Sequence, residues 1–67
     1  MDERLNISVI GLGRFGSFWA GKLSNVADVF TFDINSSRLA SSSEFATPVT
    51  LNEALAKDYI ILTIPIR

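Results

Sequence analysis

The sequence predicts an α/β fold in which a parallel sheet of about four strands carries short flanking helices. Three observations predict it. Strand-like and helix-like segments alternate along the whole chain in the order β-α-β-α-β-α-β. Hydrophobic residues make up 48% of the 67 residues and mean hydropathy is +0.31, as expected where strands are buried on both faces and read as unbroken apolar runs. The glycines at 11, 13 and 16 stand between the first strand candidate and the first helix candidate. Strands joined in this way imply right-handed crossovers and parallel pairing.

Residues 1–4 are charged and expected to fray. Leu5 to Ile10, "LNISVI", is a short strand that ends directly at the glycines. Arg14 to about Ser24 reads as a helix, because Phe15, Phe18, Trp19 and Leu23 fall on one stripe at helical period; packing against the core is the expectation for these aromatics. Gly21 lowers helix propensity, which points to close packing there, and Asn25 is a stop signal. Val26 to Asp33, "VADVFTFD", has the β-branched and aromatic content of a second strand. Ser36 or Ser37 is positioned to cap a weak helix through Leu39 and Ala40. Phe45 to Val49 holds a third strand that Pro48 keeps brief or confines to an edge. Thr50 and Glu53 have the spacing of a capping box for the helix "NEALAK". Tyr59 to Ile64, "YIILTI", is the most continuous apolar run and the best candidate for a buried strand; Pro65 ends it.

Composition excludes several kinds of chemistry. With no cysteine there is no disulfide or thiolate site, and with no histidine the commonest general base and metal ligand are missing, so no metal site is expected. A net charge of −1 carries no nucleic-acid footprint. No apolar run reaches the ~18 residues of a membrane-spanning helix, and the N-terminus lacks a signal-peptide layout, so a soluble cytoplasmic protein is expected. The chain has room for one small domain and no internal boundary. A domain of this size buries only about 60% of its unfolded surface, so its stability is marginal.

The glycines carry the functional reading. Gly11-Leu12-Gly13-Arg14-Phe15-Gly16 matches G-x-G-x-x-G in its proper setting, after a strand and at the start of a helix. In that setting Gly11 permits the tight turn, Gly13 lets a pyrophosphate reach the main chain, and Gly16 allows the helix to lie close to the sheet. The free N–H groups and the dipole of the helix favour an anion there. Asp33 ends the second strand, 22 residues after Gly11, where a carboxylate can accept hydrogen bonds from an adenosine ribose; a turn or capping role is the alternative. Asp33 would repel a 2′-phosphate, which favours NAD over NADP as cofactor. Arg38, with Asn35, Ser36 and Ser37, offers the opposing possibility of a phosphate pocket. Arg14 lies either over the pyrophosphate or in water. Thr63 and Pro65 fall at the carboxyl end of the fourth strand, which a dinucleotide on the glycines should pass.

The stretches "ISVIGLGRFGSFWAGKL", "FTFD" and "LNEALAKDYIILTIPI" resemble the N-terminal dinucleotide-binding portion of prephenate and arogenate dehydrogenases over nearly the whole chain. The resemblance implies a partial Rossmann fold with strand order 3-2-1-4. It implies pyrophosphate on Gly11, Gly13 and Gly16, the ribose on Asp33, and Thr63 and Pro65 along the cofactor path. That family carries out oxidative decarboxylation with hydride transfer to nicotinamide in tyrosine biosynthesis, using a histidine and an arginine that would lie beyond position 67. The 67 residues would then be part of a dinucleotide-binding domain, without a catalytic domain and not catalytic alone. "VIGLGRFG" and "FDIN" are also similar to nucleotide-binding regulatory domains of potassium-transport systems, which are ligand-gated switches. Against that likeness, the stretch "ATPVTLNEAL" lacks their usual "GDAT"-like segment, and Pro65 follows strand four. Hydroxyacid dehydrogenases and ketol-acid reductoisomerases share the general pattern. If no further strand covers it, "YIILTIPI" leaves an open apolar edge, through which, or through a neighbouring face, the chain is expected to self-associate.

Overall fold

The computed structural model describes residues 4–63. The expectations for residues 1–3, Ile64 and Pro65 fall outside them. Strand β1 (Leu5–Ile10) leads into helix α1 (Arg14–Leu23), then β2 (Ala27–Phe32) and α2 (Ser36–Ser41). A 3-10 turn (Ser42–Glu44) precedes the two-residue strand β3 (Thr47–Pro48), followed by α3 (Leu51–Leu55) and β4 (Tyr59–Leu62). All pairings are parallel and the strand order is β3-β2-β1-β4. The fold is therefore α/β with the expected partial Rossmann topology.

Strand β1 is the centre of the structure. It pairs with β2 along its whole length, from Leu5 opposite Ala27 to Ile10 opposite Phe32. On its other side, Ile7 to Ile10 lie opposite Tyr59 to Leu62. Side chains alternate across the sheet. On one face Ile7, Val9, Ala27 and Val29 form the core with Leu12 of the glycine turn and Ala20 of α1. Leu39, Phe45 and Ala46 pack round this core. On the other face the Ser8 hydroxyl donates to the Ala54 carbonyl at 2.8 Å, which ties α3 to the sheet. The buried hydroxyls of Thr31 and Ser42 meet at 2.7 Å, and among the described residues no buried side-chain polar atom lacks a partner. Each would otherwise cost about 1–3 kcal/mol.

The capping box forms as expected: Thr50 Oγ1 accepts from the Glu53 N–H at 3.2 Å, and Glu53 Oε1 accepts from the Thr50 N–H at 2.9 Å. Pro48 lies in a two-residue edge strand, also as expected. Other expectations need correction. Helix α2 is capped by Asn35, whose Oδ1 accepts from the Arg38 N–H at 3.1 Å, because the helix begins at Ser36 and leaves neither serine in the capping position. Arg4 is held rather than frayed: it pairs with Asp28 at 2.9 Å and donates to the Ser24 and Ala27 carbonyls.

The aromatic stripe of α1 does not enter the core. Phe15, Phe18 and Trp19 are exposed, and the helix buries Gly16 and Ala20 instead. At Gly16 the helix comes so close to the glycine turn that no Cβ fits, while Leu23, the last residue of the stripe, does pack against the core. Gly21 is not part of that contact; a Cβ there would meet nothing within 4 Å. Nor is β4 the most buried strand. Tyr59, Ile60 and Leu62 are exposed because β4 is an edge strand, paired on one side only among the described residues.

Candidate functional site

The site is built where β1 hands the chain to α1. Gly11 has a φ of 98°, a conformation that glycine adopts without a Cβ clash. Its N–H donates to the Phe32 carbonyl at 2.9 Å, carrying the β1–β2 ladder one residue further. Leu12 turns inward and is buried. Gly13 then faces outward: a Cβ there would find one neighbour within 4 Å, a guanidinium nitrogen of Arg38 at 4.0 Å. Gly16 is the opposite case. A Cβ there would lie 1.8 Å from the Gly11 carbonyl oxygen and 2.5 Å from Thr63 Oγ1, so helix, turn and β4 meet at a point that admits no side chain.

Asp33 locks the turn. Its Oδ2 accepts from the Leu12 N–H at 2.6 Å and its Oδ1 from the Asn35 N–H at 2.7 Å. The carboxylate is nearly buried but reaches the cavity above the turn. Thr63 locks the other side. Its N–H donates to the Ile10 carbonyl at 2.9 Å, and its hydroxyl donates to the Gly11 carbonyl. Ser17 Oγ donates to the Leu12 carbonyl at 3.0 Å, which completes the bonding of the turn from beneath.

Above the turn lies a cavity of about 830 Å³. Gly11, Gly13, Arg14, Phe15, Asp33, Arg38 and Thr63 line it, so most of the residues singled out in the sequence come together. Gly16 lies beneath, in the packing of α1, and Asn35 is spent on the α2 cap and on Asp33. A second cavity of about 200 Å³ opens between α1 and α2, bordered by Ser17, Ser37, Arg38 and Ser41. The main cavity also has an apolar wall of Ile10, Trp19, Phe32, Ile34 and Ile61, which sequence reasoning did not assign to the site. The signal for Trp19 was available: it lies one helical turn after Phe15, on the same side of α1.

The N-terminus of α1 opens into this cavity without a side-chain cap, whereas α2 and α3 are capped by Asn35 and Thr50. Its first-turn N–H groups and the positive end of its dipole are therefore available to an anion. Arg14 and Arg38 add positive charge at the rim, and the Arg4–Asp28 pair is the one ion pair among the described residues. The position is the carboxyl end of β1 beside β4, where the strand order reverses. Open α/β sheets take their ligands at this switch point. The missing Gly13 side chain leaves the main chain bare toward the cavity, and the Asp33 carboxylate lines the same cavity. A carboxylate has about four acceptor positions, and two are taken by the protein, so two remain.

No family model matches the chain, and no curated protein matches it. Among the described residues, no helix is long and apolar enough to cross a membrane.

Proposed function

We infer that the chain binds the adenosine-diphosphate half of NAD, as the dinucleotide-binding portion of an oxidoreductase of the prephenate dehydrogenase type. The observation that carries this reading is the uncapped start of α1 at Gly13, bare toward a cavity that also holds the Asp33 carboxylate. Bound there, NAD supplies a hydride acceptor. The chain's own residues do the holding. The amides from Gly13 onward donate to the pyrophosphate, and Arg14 and Arg38 offset its charge. Asp33 accepts from the ribose hydroxyls while its bonds to Leu12 and Asn35 keep the turn in shape. Thr63 holds the Gly11 carbonyl in place by donating to it. A 2′-phosphate beside Asp33 would meet like charge, so NAD is preferred to NADP, which Arg38 makes the weaker alternative. With no histidine in the sequence, no proton acceptor of the family's kind is assigned to these residues, and the hydride-transfer step is not assigned to this chain alone.

Calorimetry with NAD, NADP and ADP-ribose tests the reading. Heat of binding is expected for all three, strongest with NAD and ADP-ribose. Gly13→Val should abolish it, because the new side chain fills the phosphate position. Asp33→Ala should weaken NAD about 10- to 100-fold, the loss of charge-assisted hydrogen bonds worth roughly 1.5–3 kcal/mol. No heat with millimolar ADP-ribose on the folded chain would overturn it.

A further inference from the structure

We propose that Arg38 is a diphosphate clamp: from the α2 side it closes over the bare main chain of Gly13 and grips the ligand's diphosphate, not a 2′-phosphate. The inference rests on the nucleotide reading above and deepens it by fixing which phosphate the arginine meets. Position is the first observation. A guanidinium nitrogen of Arg38 lies 4.0 Å from the point where a Gly13 Cβ would stand. The guanidinium therefore overlooks the uncapped start of α1, where main-chain N–H groups are free. Asp33 lines the same cavity, yet the ion pair among the described residues is Arg4–Asp28, so Arg38 is not paired with the Asp33 carboxylate. Its main-chain N–H is bonded to Asn35, while its side-chain donors meet no acceptor among the described residues.

The glycine turn itself holds the arginine there. Asp33 accepts from the Leu12 N–H at 2.6 Å and from the Asn35 N–H at 2.7 Å, and Asn35 Oδ1 accepts from the Arg38 N–H at 3.1 Å. This run of hydrogen bonds sets the start of α2 in register with the turn. Arg38 is the third residue of α2, and a helical side chain leans toward the N-terminus of its own helix, here toward the carboxyl end of β2 and the cavity. The same side chain borders the smaller cavity beside Ser17 and Ser37, so it stands between the two. A planar guanidinium presents paired donors that match two phosphate oxygens. A diphosphate at Gly13 then has donors on both sides, the amides of α1 and the fork of Arg38. A 2′-phosphate belongs instead on the ribose at Asp33, next to an acid that Arg38 does not pair with. Arg14 has no comparable tether, because no side-chain cap fixes the start of α1.

Calorimetry with inorganic pyrophosphate, NAD and NADP on the 67-residue chain tests this proposal with the variants Arg38→Gln and Arg14→Gln. Arg38→Gln should weaken all three ligands by one common factor, about tenfold or more, and so leave the ratio of NAD to NADP affinity unchanged. Circular dichroism should not change, since the Arg38 side chain is exposed. Arg14→Gln should cost less than about threefold, as expected of a solvated charge. A second measurement needs no variant: in the ¹⁵N-labelled parent the Arg38 side-chain Nε–H signal should shift on adding pyrophosphate. A loss confined to NADP, pyrophosphate affinity untouched by Arg38→Gln, a larger loss from Arg14→Gln, or an unmoved Arg38 Nε–H signal would each overturn the proposal. Pyrophosphate bound through Arg38 with no binding of NAD would uphold the clamp and refute the dinucleotide reading. NAD bound with pyrophosphate indifferent to Arg38 would refute the clamp alone, and a chain that binds neither at millimolar ligand would refute both.

Discussion

The two flanks of β1 are built differently. On the β2 flank six residue pairs are in register, both faces carry helices, and the polar groups of Ser8, Thr31, Asp33 and Ser42 all have partners. That flank ends in β3, two residues long with a proline, an edge that offers little to pair with. On the β4 flank four pairs are in register, and the strand is apolar, uncharged and, among the described residues, paired on one side only. The closed flank supplies stability and shapes the glycine turn. The open flank adds little burial, and its one strong tie to the turn is Thr63. Hydrophobic content therefore does not measure burial here: the most apolar strand is among the most exposed.

The joint between the flanks is the place to break this contrast. Gly16→Ala puts a methyl group into main chain that has no flexible side chain to displace, with Thr63 beside it. A loss of about 3 kcal/mol or more is expected, enough to unfold a marginal domain. Circular dichroism of the variant checks it, and a native-like melting transition would count against the packing described. The next largest effect separates the flanks directly. Val9, fully buried, should lose about 2 kcal/mol on change to alanine, and Leu62, 63% exposed, less than about 0.5 kcal/mol when measured on monomer. Equal losses in urea melts would erase the distinction.

The smallest effect is at the capping box of α3. The main-chain N–H of Thr50, then its hydroxyl, hold the Glu53 carboxyl below the usual glutamate range; Lys57 helps, and slight desolvation opposes. A carboxyl lowered on folding stabilises above its unfolded pKa and loses that contribution as pH falls through the folded value. Helix α3 should therefore loosen as pH falls below the ordinary glutamate range, seen as faster exchange of the Thr50 and Glu53 amides. Glu53→Gln should remove the pH dependence while keeping the cap.

Much of the site was legible because main-chain geometry restricts residue type. A left-handed turn and a contact that admits no Cβ call for glycine at 11 and 16, and an acid at the end of β2 stands out after an apolar run. The box at Thr50 and Glu53 was legible for the same reason. Which side of α1 packs was not. Helical period groups Phe15, Phe18, Trp19 and Leu23, but close approach to the sheet selects Gly16 and Ala20, and periodicity does not distinguish a core from an uncovered apolar surface. The same limit hid the exposure of β4. The choice of Asn35 over Ser36 or Ser37 as the α2 cap turns on a shift of one residue in the helix start, below what propensity can resolve.

We propose that bare main chain at Gly13, with Asp33 beside it, holds a nucleoside diphosphate. The most direct measurement is an amide-resolved NMR titration of the ¹⁵N-labelled chain with ADP-ribose. Saturable shifts are expected at Gly13, Arg14, Phe15 and Gly16 and in the segment from Asp33 to Arg38, with α3 silent on the far face of the sheet. Shifts absent at millimolar ligand, or gathered on α3 and β3 instead, would contradict it.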